Sequence, residues 1–471
     1  MRSEFDLAII GAGAGGLIAA RFAATLGARV LLVERDRIGG DCTWTGCVPS
    51  KSLIRVAKAV HEVRTAERFG ITVGTCDVDM RRVRDFVQRK VQEIYAPTAP
   101  EMLELDGIHV VIGAGSFENA RVLRVGDRAI RAAAFLICTG ASPTTPDIQG
   151  LADVPYFTYH SIFDVEELPE SLVVIGGGPL GMELAQAFQR LGSRVTVVAS
   201  RLLPHDDPEA AAVIEHVCER EGIRFVRGRA VSVRRDGGMT VVSTDKAATA
   251  SGQHLLVAAG RRPNVQGLGL DLAGITHSDR GIVVDEWLRT SVSHIYAAGD
   301  VIGGEQFSHV AGWQAFEATR NALLPGRDRG HPNPMAWVTF TDPEVAQVGL
   351  TESVARAQLG DALTVSRWDM GRVDRAKCDD DEDGFIKLMS DSRGMVIGAT
   401  IVASRAGEMS NEISLAIARR LTVGDVATAV HAYPTYATAL QQMSSQVATA
   451  RWTTSRVGRL VGRLLGFGRR S

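Results

Sequence analysis

The sequence predicts an α/β protein with two βαβ units of the doubly wound type and a smaller α+β domain at its C-terminus. Two observations predict the βαβ units. A short apolar strand runs into a glycine-rich turn and then an apolar helix near residue 11, and the same order recurs near residue 176. The third observation is length, because 471 residues are too many for a single hydrophobic core. The predicted architecture is therefore two Rossmann-like dinucleotide-binding domains followed by an α+β domain.

The first βαβ unit is built around the turn Gly11-Ala-Gly-Ala-Gly-Gly16. An apolar helix over residues 17–26 and a second strand over residues 29–33 follow it, and that strand ends on Glu34. Glycines at positions 11, 13 and 16 let the backbone approach a pyrophosphate at a helix N-terminus. A carboxylate at the end of the second strand can accept hydrogen bonds from a ribose. The unit therefore predicts a dinucleotide site made by Gly11, Gly13, Gly16 and Glu34.

Two cysteines follow this unit in the segment Gly39-Gly-Asp-Cys-Thr-Trp-Thr-Gly-Cys-Val-Pro-Ser-Lys51. Positions five apart on an ideal helix lie roughly 8.7 Å apart, whereas a disulfide tolerates about 4.4–6.8 Å between Cα atoms. Cys42 and Cys47 can therefore bond only if Cys42 lies in a bent segment, with Gly46 relaxing the backbone. Pro49 suits a first helical turn, which puts Cys47 near a helix N-terminus that favours a thiolate. The pattern favours a redox pair over two structural cysteines or half a zinc site.

Two more strand ends complete the first nucleotide site. Residues 136–143 form a strand that runs into a turn at Thr139 and Gly140, and residues 290–300 end a strand on Asp300. The turn lies near the end of the first nucleotide segment, so we count Thr139 and Gly140 among the cofactor-binding residues. The role of Asp300 is what the family resemblance described below implies.

The second βαβ unit repeats the design with one difference. Its turn, Gly176-Gly-Gly-Pro-Leu-Gly181, lies between a strand over residues 172–175 and a helix over residues 182–191. Its second strand runs into Ala199-Ser200-Arg201 and carries no terminal carboxylate. A carboxylate there would repel a 2′-phosphate, whereas Ser200 and Arg201 can bind one. With Gly176, Gly178 and Gly181, this unit predicts a site for NADPH rather than NADH, unless Arg201 is only a solvated loop residue.

Turn-forming and linker-like segments set the predicted domain boundaries. The first nucleotide domain is expected over residues 1–150 and 266–330, and the second over residues 151–265. The segment His331-Pro-Asn-Pro334 is typical of a linker. A domain over residues 331–450 follows, with strands at residues 338–344 and 385–389 and an amphipathic helix at residues 408–420. A basic tail over residues 451–471 ends the chain.

Composition excludes several classes of protein. Hydrophobic residues make up 45% and charged residues 23% of the chain, as in ordinary globular proteins. A net charge of -2 does not fit a general nucleic-acid binder. Six cysteines in so long a chain do not make a secreted disulfide framework. The N-terminus enters a strand at once, and no apolar run approaches the ~20 residues of a membrane span. We therefore expect a cytoplasmic enzyme.

With these motifs in place, the chain resembles the FAD-dependent pyridine nucleotide-disulfide oxidoreductases over nearly its whole length. The resemblance implies that the first glycine motif binds FAD, with Asp300 at the ribityl or phosphate end, and that the second binds NAD(P)H. It implies that Cys47 is the charge-transfer thiol, that Cys42 is the interchange thiol, and that Lys51 and Glu183 pair beside the flavin. It also implies that the last domain is a dimerisation domain, and hence a homodimer. No residue is assigned to a resident metal ion.

One departure from the family pattern bears on the electron acceptor. Disulfide-reducing members carry H-x-H-P-T-x-x-E near the C-terminus, where the second His is the acid/base and the Glu orients it. Here the segment reads His431-Ala-Tyr-Pro-Thr-Tyr-Ala-Thr438, with Tyr433 at the base position. Tyrosine, with a reference pKa of about 10, is a poor proton shuttle for a thiol at neutral pH. His431 is expected either to contact a metal ion together with Tyr433 or to act as a structural turn histidine.

Other residues resemble the mercuric-reductase-like branch of the family. They are Pro179 and Leu180 in the second glycine motif, the residues between the two cysteines, and the segment 307–314. The C-terminal cysteine pair that hands Hg(II) to mercuric reductase is missing, since the last cysteine is Cys378. The sequence therefore predicts a reductase that passes electrons from NADPH through FAD and Cys42–Cys47 to a soft metal ion, a small electrophile or a quinone.

Two alternative functions remain open at this point. The first is a dihydrolipoamide dehydrogenase or another disulfide reductase that works without the usual base. The second is a redox-sensing or membrane-associated flavoprotein with little turnover. The tail mixes six arginines with large aliphatic residues, so it is either a basic amphipathic segment on an anionic membrane or a solvated tail.

Overall fold

The structure is a computed structural model that describes residues 3–331 and 334–465. It divides into two compact units. The first comprises the described residues within 1–176, 187–200 and 224–332, and the second comprises those within 177–186, 201–223 and 333–471. Two residues of the predicted linker, Pro332 and Asn333, and the end of the tail from Gly466 lie outside the described residues. The predicted domain boundaries, which differ from this division, stay a prediction.

Strands and helices are numbered in chain order. The strands up to residue 300 are β1 Phe5–Ile10, β2 Val30–Glu34, β3 Ile108–Ile112, β4 Gly115–Asn119, β5 Val122–Val125, β6 Arg128–Ile130, β7 Ala132–Ile137, β8 Ala141–Pro143, β9 Ser171–Ile175, β10 Arg194–Ala199, β11 Arg224–Arg227, β12 Ala230–Asp236, β13 Met239–Thr244, β14 Thr249–Gly252, β15 His254–Val257, β16 Arg261–Pro263, β17 His277–Ser278, β18 Gly281–Ile282 and β19 Ile295–Ala297. The helices up to residue 323 are α1 Ala14–Thr25, α2 Gly40–Trp44, α3 Cys47–Arg64, α4 Met80–Tyr95, α5 Pro100–Leu105, α6 Pro179–Leu191, α7 Pro208–Arg220, α8 Leu270–Ala273 and α9 Ser308–Leu323.

A five-stranded parallel sheet, in the order β19-β7-β1-β2-β3, is the frame of the first unit. Side chains of β1 enter two different hydrophobic clusters, with Ala8 and Ile10 in one and Leu7 and Ile9 in the other. A parallel sheet buried on both faces in this way explains the nearly continuous apolar strands. The parallel order brings the carboxyl ends of β1, β2, β7 and β19 to one edge of the sheet.

The second glycine-rich turn also follows a strand of a parallel sheet in the first unit. That sheet has the order β11-β10-β9-β15, and its pairs are in parallel register. The α/β fold class is therefore confirmed. Helices α1 and α6 begin three residues earlier than predicted, at Ala14 and Pro179. The reason is that each glycine-rich turn itself supplies the first turn of the helix.

The C-terminal part of the second unit is an antiparallel sheet in the order β20-β21-β24-β23-β22. Its hydrophobic core includes Ile386 and Ile401 from the sheet together with Met409, Ile413 and Leu440 from helices. These elements make the predicted α+β domain. They are β20 Ala336–Thr339, β21 Glu344–Gly349, β22 Thr364–Asp369, β23 Phe385–Ser390, β24 Val396–Ala403, α10 Glu352–Leu359, α11 Asp374–Asp379, α12 Ala406–Ala418, α13 Val423–Thr428, α14 Thr438–Thr454 and α15 Arg456–Leu464.

A helix that crosses a bilayer needs about 20 predominantly apolar residues. Among the described residues, no helix is both long and apolar enough to span a membrane.

Candidate functional site

The first glycine-rich turn lies at the carboxyl edge of the five-stranded sheet, and Gly11 and Gly16 are sterically required there. Gly11 has φ +101°, and a Cβ there would lie 2.4 Å from the carbonyl oxygen of Cys138. A Cβ on Gly16 would lie 1.9 Å from the carbonyl oxygen of Gly11. At Gly13 the nearest atom to such a Cβ is 3.8 Å away, so a ligand has room to approach the backbone there. The first turn of α1 holds no acidic residue, which leaves its N-terminus suited to a pyrophosphate.

Glu34, at the end of β2, is fixed by backbone donors on both carboxylate oxygens. Ala12 N–H donates to Oε2 at 2.8 Å, and Asp36 N–H donates to Oε1 at 2.9 Å. The first of these bonds ties the carboxylate to the glycine-rich turn itself. The turn and the acid are therefore held together in the geometry that the adenosine half of a dinucleotide requires, and these residues fit FAD.

Asp300 follows β19 at the same sheet edge and belongs to a charged cluster that sequence reasoning missed. Arg261 donates to Asp300 Oδ2 at 2.6 Å and to Asp41 Oδ2 at 2.9 Å. Tyr159 donates its hydroxyl hydrogen to Asp41 Oδ2 at 2.8 Å and accepts one from Arg261 Nε at 3.2 Å. Burial raises the pKa of Asp300, and the guanidinium of Arg261 opposes that rise. One half-buried arginine thus pairs with two acids, and one of those acids directly precedes Cys42.

Thr139 and Gly140, the other predicted residues at this edge, are engaged with Asn264. Thr139 Oγ1 donates to the carbonyl oxygen of Asn264 at 2.9 Å, and Asn264 Nδ2 returns a bond to the Thr139 carbonyl at 2.9 Å. Gly140 has φ +69°, and its carbonyl accepts from Asn264 N–H at 2.9 Å. In this structure the two residues join two segments of the first unit. Their contact with a cofactor stays a prediction.

The cysteine pair lies where two helices meet end to end. Cys47 is the first residue of α3, and Pro49 is in its first turn, as predicted. Cys42 lies in the short helix α2 rather than in an irregular bent segment, because the bend comes at Thr45 and Gly46. A Cβ at Gly46 would lie 2.8 Å from the carbonyl oxygen of Asp41. The sharp break between α2 and α3 therefore depends on glycine and brings the two cysteines together.

Both cysteines are in the dithiol form here. The thiol of Cys42 has a raised pKa, chiefly because it is hydrogen-bonded to Cys47 and also because it is buried. The positive charge of Lys51 works in the opposite direction on this pKa. Lys51 is four residues after Cys47 on α3 and so lies on the same helical face. Cys47 is thus exposed to solvent, whereas Cys42 is partly buried.

Glu183 lies on α6 and is almost completely buried, at 3% exposure. Its Oε1 accepts a hydrogen bond from the backbone N–H of Phe340 at 2.8 Å. A buried carboxylate held by a backbone donor is a fixed feature of the second unit. Its predicted pairing with Lys51 stays a prediction.

The second glycine motif follows β9. Gly176 has φ +123°, and a Cβ there would lie 2.4 Å from the carbonyl oxygen of Ala258. Gly178 accepts a hydrogen bond from Met182 N–H at 3.0 Å at the start of α6, and Gly181 lies in the first turn of that helix. Ser200 and Arg201 directly follow β10 and are exposed. Their role in nucleotide binding stays a prediction.

Tyr433 and His431 occupy a surface segment of the second unit. Tyr433 is 68% exposed and donates its hydroxyl hydrogen to Asp374 Oδ2 at 3.0 Å. This bond raises the pKa of the Tyr433 phenol. His431 has both ring nitrogens engaged, with Nε2 2.9 Å from Glu412 Oε1 and Nδ1 3.0 Å from the Ala429 carbonyl oxygen. Of the two predicted roles for His431, this arrangement favours the structural one.

The chain is similar to known proteins in both sequence and structure. Residues 5–315 match the family described as Pyridine nucleotide-disulphide oxidoreductase, and residues 335–444 match its dimerisation domain. A mercuric reductase of Streptomyces lividans is 37% identical, covering 95% of this chain and 96% of that protein. A dihydrolipoyl dehydrogenase of Chlamydia muridarum is 32% identical, covering 93% and 95%. The Cu(II) complex of the HOCl-induced flavoprotein disulfide reductase RclA from Escherichia coli superimposes with a TM-score of 0.84 at 26% identity, covering 94% and 100%.

Proposed function

The chain belongs to the pyridine nucleotide-disulphide oxidoreductase family, and on that basis we propose that it is an NADPH-dependent reductase of a small acceptor. The family depends on FAD and a pyridine nucleotide, and the dimerisation domain indicates a homodimer. FAD, when bound, supplies a carrier for two electrons between NADPH and the cysteine pair. The observation that carries the proposal is the Cys42–Cys47 dithiol at the N-terminus of α3. We place the enzyme in the cytoplasm, where such a dithiol is kept reduced.

In this proposal, residues of the first unit bind the cofactor and also carry the dithiol. Gly11, Gly13 and Gly16 bind the pyrophosphate, and Glu34 orients the ribose. Reduction breaks the S–S bond, leaving a thiolate on Cys47 and a protonated thiol on Cys42. The dithiol then delivers both electrons to the acceptor.

The acceptor is a soft metal ion, a small electrophile or a quinone. Tyr433 supports this choice, since an exposed phenol whose pKa is raised by Asp374 cannot cycle a proton for a bulky dithiol near neutral pH. The names of two relatives, a mercuric reductase and a Cu(II) complex of RclA, point to metal ions. The dihydrolipoyl dehydrogenase among the relatives supports disulfide reduction as the second candidate.

A screen of acceptors separates the two candidates. Purified holoenzyme with NADPH should turn over with Hg(II), Cu(II) or a quinone, and only weakly with lipoamide or oxidised glutathione. The neutral phenol of Tyr433 can donate a hydrogen bond to the acceptor or contact a soft metal ion. Tyr433→Phe removes only that hydroxyl, so it should slow acceptor reduction while leaving reduction of the enzyme by NADPH unchanged. Stopped-flow absorbance separates these two half-reactions. Robust lipoamide reduction that is undiminished in Tyr433→Phe would refute the role of Tyr433 and favour the second candidate.

We further propose that the C-terminal helix rests on an anionic membrane surface. Val457, Leu460 and Leu464 on α15 are 65%, 59% and 77% exposed. Arg459 and Arg463 lie on the same helix, and the chain carries no acidic residue after residue 450. Exposed aliphatic residues beside arginines, with no compensating acid, match the chemistry of anionic lipid headgroups.

Co-sedimentation with vesicles tests the membrane proposal. The full chain should pellet with phosphatidylserine-containing vesicles at low salt and less at high salt, because the attraction is screened. Truncation after Ser455 should abolish membrane binding. FAD should stay bound, because its predicted residues lie in the first unit. The second unit keeps Arg451, which hydrogen-bonds the carbonyl of Ser392. Arg459→Glu with Arg463→Glu should act like the truncation. Equal pelleting of full-length and truncated protein would favour a solvated tail.

A further inference from the structure

Ser308 lies against the cysteine pair although it is 261 residues away from Cys47 in sequence. Its Oγ is 3.3 Å from Cys47 Sγ. The same hydroxyl is also within hydrogen-bonding reach of the Cys42 thiol, where it acts to lower the pKa of that thiol. One hydroxyl therefore contacts both sulfurs of the pair.

Among the described contacts, no hydrogen bond joins the Ser308 hydroxyl to its own helix. Ser308 is the first residue of α9, and the N-cap residue before it, Phe307, makes no side-chain capping bond. A serine at a helix start most often caps its own helix. Here the half-buried Ser308 instead directs its hydroxyl to Cys47.

Two helices begin at this point. Helix α3, of 18 residues, starts at Cys47 itself, and helix α9, of 16 residues, starts at Ser308. Neither has an acidic residue in its first turn. The positive ends of two helix dipoles therefore converge on the sulfur of Cys47, which favours an anion there.

Among the described residues, groups on at least three elements lie around the pair. Cys42 and Asp41 lie on α2, Lys51 lies on α3, and Ser308 contributes from α9. The carboxylate of Asp41 is already bound by Arg261 and Tyr159. The local field therefore favours negative charge on sulfur, and the hydroxyl of Ser308 lies in hydrogen-bond contact with Cys47.

We propose that Ser308 is a catalytic residue of the disulfide step, donating a hydrogen bond to the thiolate that remains on Cys47 when the disulfide is reduced. The inference rests on the proposed function, because it needs Cys42–Cys47 to be the redox pair. In the step, two electrons that originate from NADPH break the S–S bond. Cys42 takes one proton from solvent to become a thiol, and Cys47 keeps the negative charge. The oxidised pair carries no such charge, so the bond from Ser308 favours the reduced form.

The test uses Cys42→Ser holoenzyme, in which the Cys47 thiolate gives a long-wavelength charge-transfer band with oxidised flavin. The pH midpoint of this band reports the acidity of Cys47. Adding Ser308→Ala should raise the midpoint by about one pH unit, which is a roughly tenfold weaker acid. Adding Ser308→Thr, which keeps the hydroxyl, should leave the midpoint near that of the parent. FAD absorbance per polypeptide verifies that each variant is folded and loaded.

Ser50 offers a matched control on α3. Its hydroxyl donates to the backbone carbonyl of Cys47 at 3.2 Å rather than to the sulfur, so Ser50→Ala should leave the midpoint unchanged. The inference is overturned if Ser308→Ala does not move the midpoint, if Ser50→Ala moves it as much, or if Ser308→Thr behaves like Ser308→Ala. Absence of the band at every pH in the parent Cys42→Ser protein would instead overturn the proposed function and, with it, this inference.

Discussion

Replacing Cys42 or Cys47 by serine should lower acceptor turnover by roughly three orders of magnitude or more, because members of one catalytic unit fail together when either is removed. The two thiols are hydrogen-bonded to each other at the break between α2 and α3. A single remaining thiol can hold one sulfur of a disulfide but cannot deliver two electrons. The measurement is steady-state NADPH oxidation with the best acceptor from the screen.

Two controls make this result specific. Ferricyanide takes electrons directly from reduced flavin, so its reduction should survive in both serine variants. Cys76 is a partly buried cysteine in an irregular segment, and Cys76→Ser should turn over like the wild type. Retained acceptor turnover in either Cys42→Ser or Cys47→Ser would show that electrons bypass the pair.

Arg201→Ala should raise KM for NADPH by roughly tenfold to a hundredfold and leave KM for NADH nearly unchanged. Strand β10 ends at Ala199, and the exposed Ser200 and Arg201 follow where a carboxylate would select NADH. A charge-assisted contact between arginine and a 2′-phosphate contributes ~1.5–3 kcal/mol, and each 1.4 kcal/mol is a factor of ten in affinity. Ser200→Ala should produce a smaller loss in the same direction.

Arg194 provides the matched control at the opposite end of the same strand. It is exposed, and its guanidinium lies 2.8 Å from Glu170, so Arg194→Ala removes a similar charge far along β10. Initial rates with both nucleotides should be the same for Arg194→Ala and the wild type. A wild-type preference for NADH, or equal losses with both nucleotides in Arg201→Ala, would refute the assignment of the 2′-phosphate contact.

Local patterns were enough to predict the parts of the site that lie close together in sequence. The turn from Gly11 to Gly16 and the acid at Glu34 belong to one βαβ unit, so spacing alone fixes their relation. Pro49 and Gly46 likewise indicate where α3 begins. These predictions rest on backbone geometry, which a short segment of sequence determines.

Contacts between distant segments could not be predicted in this way. Arg261 joins Asp41 to Asp300 across more than 200 residues, although the three residues lie on β16, on α2 and after β19. Asp41 directly precedes Cys42 in the cysteine motif, which was a signal that could have drawn attention to it. Ser308 gave no such signal, because a serine at a helix start is ordinarily a cap.

Anaerobic reductive titration of the wild-type holoenzyme tests most directly whether electrons pass through Cys42 and Cys47. The first two electron equivalents should break the disulfide while the flavin stays oxidised, so a long-wavelength charge-transfer band should rise before the main flavin absorbance falls. Two further equivalents should then bleach the flavin. Bleaching of the flavin by the first two equivalents, with no charge-transfer band, would contradict the proposal that the Cys42–Cys47 pair is redox-active.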